Sequence, residues 1–113
     1  MKHVTTKITL DELRSMAENS FGDMVKAVID VENKTMIVDA ELHADQENSM
    51  IEKGSEQKNL WGINIHPFDP VDKMIEFDSM INLRPWMNNR TRGVDSKEIQ
   101  ERIKKIFLEM LTL

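Results

Sequence analysis

Asp39, Glu41, His43 and Asp45 alternate along the segment Val38–Asp45. On a β-strand, alternate residues project to the same side, about 6–7 Å apart. Carboxylates and an imidazole at that spacing can hold a divalent metal such as Mg²⁺, Mn²⁺ or Zn²⁺, and a metal so held can activate water. The plainer alternative is the solvated face of a half-exposed sheet, which also alternates charged and apolar residues. The spacing is not a specific metal signature, and the H-E-x-x-H pattern that would be one is absent.

His43 and His66 are also candidates for acid–base chemistry, because an unperturbed imidazole titrates near pH 6.5. With His43, the residues Asp78 and Arg84 make up the candidate catalytic set. A second set suits an anion. Between Arg84 and Arg92 the chain has three arginines, Arg84, Arg90 and Arg92, and no acid. Arginine forks match phosphate and carboxylate groups. Arg90 and Arg92, with Asn64, Asn82 and Asn89, are therefore the candidate ligand-binding residues. Internal pairing of these arginines with the surplus carboxylates is the competing account. No phosphate-binding glycine loop and no G-x-S-x-G elbow is present.

These residues need elements to position them. Thr9 and Glu12 form a capping box, with Leu10, Leu13, Met16 and Ala17 as the apolar face of a first helix. Two strands, about Met24–Glu32 and Thr35–His43, follow across a two-residue Asn33-Lys34 turn. That turn sets Ala27 opposite Ala40 and Ile29 opposite Val38, and leaves one apolar face and one charged face. A short helix over Asp45–Lys53, with Met50 and Ile51 inward, and a strand over Leu60–His66 come next. Gly62 within that strand marks a bulge or a close backbone approach. A fourth strand is expected over Met74–Arg84. Asp95 and Glu98 cap a last helix whose apolar stripe is Ile99, Ile103, Ile106, Phe107, Met110 and Leu111. The expected fold is α+β: one domain over residues 1–113, with a four- or five-stranded, mainly antiparallel sheet. The N- and C-terminal helices pack on its apolar face, and the middle helix is short.

Composition narrows the classes further. A chain of 113 residues fits a single domain. It has no cysteine, which excludes disulfides and thiolate metal sites. The net charge of −5 argues against nucleic acid as a partner. No apolar run approaches the roughly 20 residues of a membrane helix, and Met1–Leu10 lacks the apolar core of a signal peptide. The expectation is a cytoplasmic protein without a membrane partner.

The strings VDAELHAD (Val38–Asp45), LWGIN (Leu60–Asn64), EFDSMINLRP (Glu76–Pro85) and NRTRGV (Asn89–Val94) occur with the opening ITLDEL. Together they resemble a small prokaryotic family described as a domain of unknown function, over nearly the whole chain. The resemblance implies that these strings belong to one domain, and it implies no activity. Two functional expectations stand beside each other. One is a metal-assisted hydrolase or phosphoester-binding enzyme that takes a small anionic ligand on the polar sheet face. The other is a non-enzymatic module for binding or for homodimer formation.

Overall fold

The alternating segment after the first helix folds into a hairpin at the centre of a five-stranded sheet. The computed structural model describes residues 1–113. Its elements are β1 (Lys2–Val4), β2 (Ile8–Thr9), α1 (Leu10–Glu18), β3 (Val25–Asp30), β4 (Thr35–Val38), α2 (His43–Glu52), β5 (Leu60–Ile65), β6 (Ile75–Glu76), α3 (Lys97–Met110) and β7 (Leu111–Thr112). The sheet order is β1-β4-β3-β5-β6, and every neighbouring pair is antiparallel. β2 and β7 form a separate parallel pair that ties the start of α1 to the end of α3. No helix is long and apolar enough to cross a membrane.

One sheet face carries the main core. Ala27, Ile29, Met36, Val38, Trp61, Ile63 and Ile65 pack against Leu13 and Ala17 of α1 and against Ile103, Ile106, Phe107 and Met110 of α3. This is the α+β architecture that the apolar periodicities predict, with both terminal helices on the apolar face. Thr9 caps α1 by accepting the Glu12 N–H at 3.0 Å. The Glu12 carboxylate meets the Thr9 hydroxyl and Lys2 rather than the Thr9 backbone. Ser96 caps α3, accepting the Ile99 N–H at 3.3 Å, and Asp95 does not.

The hairpin register departs from the expected one by two residues. Ala27 lies opposite Val38, and Ile29 opposite Met36. The cause is Asp30. Its Oδ1 accepts the N–H groups of Glu32 and Asn33, both at 2.9 Å, and its Oδ2 accepts from the Asn33 amide and the Ser55 hydroxyl. Those bonds close a four-residue turn, Val31 to Lys34, with Lys34 left-handed at φ 56°. Burial pushes the Asp30 carboxyl up, but the bonds from Asn33, Ser55 and Glu32 outweigh it and hold the group below the ordinary carboxylate range. A shift of two residues preserves the side-chain parity, so each residue keeps its expected face.

The charged face is not a wet face. α2 lies across it, and Val28, Ile37, Met50 and Leu60 form a second small core with Ile81 against it. β4 stops at Val38, where Asp39 takes a left-handed φ of 70° and turns the chain off the sheet. α2 begins at His43, two residues before the expected start; Met50 is buried and Ile51 is exposed. The fourth strand is also shorter than expected. Only Ile75–Glu76 pair with β5, and the chain then bends through single 3₁₀ turns at Met80–Asn82 and Pro85–Met87.

That bend depends on Gly62. A Cβ at this position would lie 2.6 Å from both the Cβ and the Oγ of Ser79, so the strand glycine is a close backbone approach. Gly62→Ala should therefore overpack the contact and destabilise the fold by about 1–3 kcal/mol. Equilibrium urea unfolding checks this: a lower midpoint at unchanged slope is expected, and an unchanged midpoint would contradict the close packing.

Candidate functional site

β5 pairs with β3 along its full length, but β6 covers only Asn64 and Ile65 on its other side. The edge at Leu60–Ile63 needs other partners, because buried backbone groups are costly when unpaired. Side chains from the segment after β6 supply them. The Asn82 amide accepts the Gly62 N–H at 2.8 Å and donates to the Gly62 C=O at 2.9 Å, as a neighbouring strand would. Arg84 donates through a terminal guanidinium nitrogen to the Leu60 C=O at 2.6 Å and through Nε to the Ile81 C=O at 2.9 Å. The Asn89 amide donates to the carbonyls of Asn82 and Gly93 at 2.7 and 2.8 Å, and its Oδ1 accepts the Asp95 N–H.

These bonds relocate several candidate residues. Asn82, Arg84 and Asn89 are at most 3% exposed and hold the fold. Arg84 also pairs with Glu47 at 3.3 Å, and its guanidinium carbon lies 5.0 Å from the centroid of the Trp61 ring. Burial lowers the Arg84 pKa, and Glu47 works against that shift. Arg84 is thus engaged as a structural cation by the Leu60 and Ile81 carbonyls and by Glu47. Asn64 donates to Glu76 at 3.0 Å and to the Asp78 C=O at 3.4 Å. His66 meets the same Glu76 oxygen at 3.1 Å. Hydrogen bonds from Asn64 and His66 hold the Glu76 carboxyl below its ordinary range.

The four expected metal ligands are dispersed. Asp39 and Glu41 lie in the turn between β4 and α2, while His43 and Asp45 lie in the first turn of α2. No three His, Asp or Glu side chains are grouped where they could hold a metal ion. The alternation that suggested a strand face is real in sequence, but the left-handed Asp39 breaks it in space.

What the structure does bring together is a cleft of about 160 Å³ between the start of α2 and the segment after β6. It is lined by Lys26, Leu42, His43, Ala44, Ser79, Met80, Ile81 and Arg92. The volume is below the roughly 300 Å³ at which drug-sized pockets begin. It suits a group the size of a phosphate or carboxylate. Two cations reach it, Lys26 from β3 and Arg92 from the loop before α3. The N-terminus of α2 has no side-chain cap, so its first N–H groups and the positive end of its dipole add to the same field. Arg92 is held by Asp78, Nε to Oδ1, at 2.8 Å. Arg90 is not in the cleft; its backbone N–H bonds Asp95.

His43 is the buried titratable group of the cleft, 7% exposed. Its Nε2 lies 2.8 Å from the Ile63 carbonyl oxygen. A carbonyl only accepts, so the ring proton sits on Nε2 and Nδ1 keeps its lone pair. Burial pushes the His43 pKa below 6.5; the Ile63 bond and Asp78 oppose this, and Lys26 and Arg92 reinforce it. The imidazole is therefore neutral at pH 7, with its proton fixed on one nitrogen. Ser79, also buried, lines the same wall, its Oγ accepting the Ile81 N–H at 3.3 Å. Sequence pattern does not mark Ser79, and it places the start of α2 at Asp45, two residues late. The glycine inside β5 was the available signal, since it reports the residue packed on it.

A family model described as Protein of unknown function (DUF5674) matches residues 2–110. The chain belongs to this family. No curated protein and no solved structure matches it. The family description carries no activity.

Two expectations follow for this DUF5674 domain. Asn82→Ala removes both partners of Gly62 and should cost about 1–3 kcal/mol for each backbone group left unpaired. Thermal or urea unfolding measures it, and a loss comparable to an exposed-residue substitution would contradict the edge role. His43 gives a pH signature. Its folded pKa is depressed, so the unfolded state binds more protons below pH 6.5, and stability is lost as pH falls through the window from 6.5 down to the folded value. His3, also depressed by burial and by Lys53, contributes in the same direction. The stability difference between wild type and His43→Gln isolates the His43 part: it should shrink as pH falls from 7.5 to 5.5, and a constant difference would refute the buried neutral imidazole.

Proposed function

We propose that the chain binds a small anion-bearing ligand, of the phosphoester class, in the Lys26–His43–Arg92 cleft. One observation carries the reading: two cations, an uncapped helix N-terminus and a buried imidazole with an unused lone pair open on one small cleft. The cations and the helix end attract the negative group. His43 Nδ1 is placed to accept a proton or a hydrogen bond from it, which is the requirement for a general base. The cysteine-free composition suits a reducing, cytoplasmic setting for such a ligand.

Isothermal titration with inorganic phosphate tests the reading. Saturable binding is expected, weakened about tenfold by Lys26→Gln or by Arg92→Gln, equivalent to about 1.4 kcal/mol each. Absence of binding, or binding indifferent to both substitutions, overturns it.

One observation favours the second reading, an interaction module. Trp86 is 76% exposed on a turn whose base is closed by paired Arg84 and Asn89 backbones. Leu42 and Met80 are exposed beside the cleft. A rigidly presented tryptophan is a common anchor at protein interfaces. The phosphate titration separates the two, because a module acting only through Trp86 has no use for an anion at Lys26 and Arg92.

A further inference from the structure

The atoms of the cleft say more about its ligand than its charge. Lys26, Arg92 and the first N–H groups of α2 are all donors. They satisfy the oxygens of an anion but cannot accept from it. His43 Nδ1 is the exception. The Ile63 carbonyl fixes the ring proton on Nε2, and Nδ1 makes no hydrogen bond within the chain. The residue is 7% exposed and lines the cleft, and Nδ1 is not one of its sealed atoms, so a group that fills the cleft takes from Nδ1 the water it still reaches. An acceptor desolvated without a donor weakens binding by about tenfold or more. An anion whose oxygens are all unprotonated would worsen this by setting lone pair against lone pair.

We infer that the cleft selects an oxyanion carrying its own O–H donor, hydrogenphosphate or a singly protonated phosphate monoester, and that His43 Nδ1 is the residue that reads that proton. The inference rests on the cleft reading above and narrows it to a ligand class. The charged groups facing His43 are consistent with this division of labour. Lys26 comes from β3, and Asp78 and Arg92 come from the segment that closes the cleft. Asp78 is already engaged by Arg92 at 2.8 Å. Its carboxylate offsets one of the two cations, so charge alone does not force a fully deprotonated ligand. The selection is then made by hydrogen-bond polarity rather than by charge.

Sulfate provides the comparison. At pH 7 it is a tetrahedral dianion of nearly the same size as hydrogenphosphate, and it has no proton to give. Isothermal titration of the wild-type chain with phosphate and with sulfate, at equal ionic strength and in two buffers of different ionisation enthalpy, tests the inference without any variant. Phosphate should bind at least about tenfold tighter than sulfate, with no net proton uptake. Sulfate binding as tightly as phosphate, accompanied by uptake of a proton, would overturn it, because His43 would then be meeting the anion as an imidazolium. If phosphate itself fails to bind, the cleft reading has failed and this inference goes with it. Phosphate binding that depends on Lys26 and Arg92, with sulfate bound equally, removes the proton selection alone. His43→Gln adds a second readout: the amide can bond Ile63 and leaves no imidazole lone pair, so the preference for phosphate should fall.

Discussion

An unpaired strand edge governs this molecule. β5 is buried on both faces and needs hydrogen-bond partners on both sides, yet β6 supplies them for only two residues. A longer β6 would be the usual solution. Here Ser79 packs on the α-carbon of Gly62, and the chain leaves the sheet. The amide of Asn82 and the guanidinium of Arg84 then take over the strand's hydrogen-bonding role. The N-L-R stretch and Asn89 are explained first by this need. Asn82, Arg84 and Asn89 are buried because the backbone they serve is buried.

The cleft is a consequence of the same arrangement. The segment that covers the edge is anchored by Asn82 and Asn89, and it carries Ser79 and Arg92 to one wall. The other wall is α2, whose position is set by the small core of Val28, Ile37, Met50 and Leu60. His43 is held between them by one bond to the sheet. Rigid supports therefore meet at a place where a neutral imidazole, two cations and a helix end face one small volume. The Asp78–Arg92 pair is half-exposed, and exposed pairs contribute at most about 1 kcal/mol. It orients Arg92 more than it stabilises the fold.

Much of this was legible in the sequence, and the parts that were not share a cause. The terminal helices, the hairpin and the apolar sheet face follow from periodicity, since burying one stripe or one alternate set is a local property of the pattern. The hairpin register lies two residues from the one Asn33-Lys34 alone predicts, because Asp30 competes for the turn through its own carboxylate. Glu76 to Arg84 alternates well, so the pattern predicts a longer fourth strand than Ile75–Glu76. What ends the strand is a contact with Gly62 in a different element, which a linear pattern does not contain. The charged alternation at Asp39–Asp45 misled in the same way. A single left-handed residue converts an apparent strand face into a turn and a helix start. Among the candidate residues, Asn82, Arg84 and Asn89 are buried polar side chains bonded to the backbone. His43 and Arg92 are the members of the candidate sets that the structure brings to a common opening.

The covering of β5 by side chains also bears on how this chain behaves among its own copies. Leu60, Trp61, Gly62 and Ile63 form an apolar stretch of high strand propensity, and their free edge is the kind of template on which another strand can add. Asn82 and Arg84 occupy that edge with bonds that no incoming strand can share, and Asn89 braces the segment that carries them. Any local opening of the Ser79–Gly93 segment uncovers it. Resistance to edge-to-edge aggregation and the integrity of the cleft thus depend on the same three side chains, and a lesion in one will be felt in both.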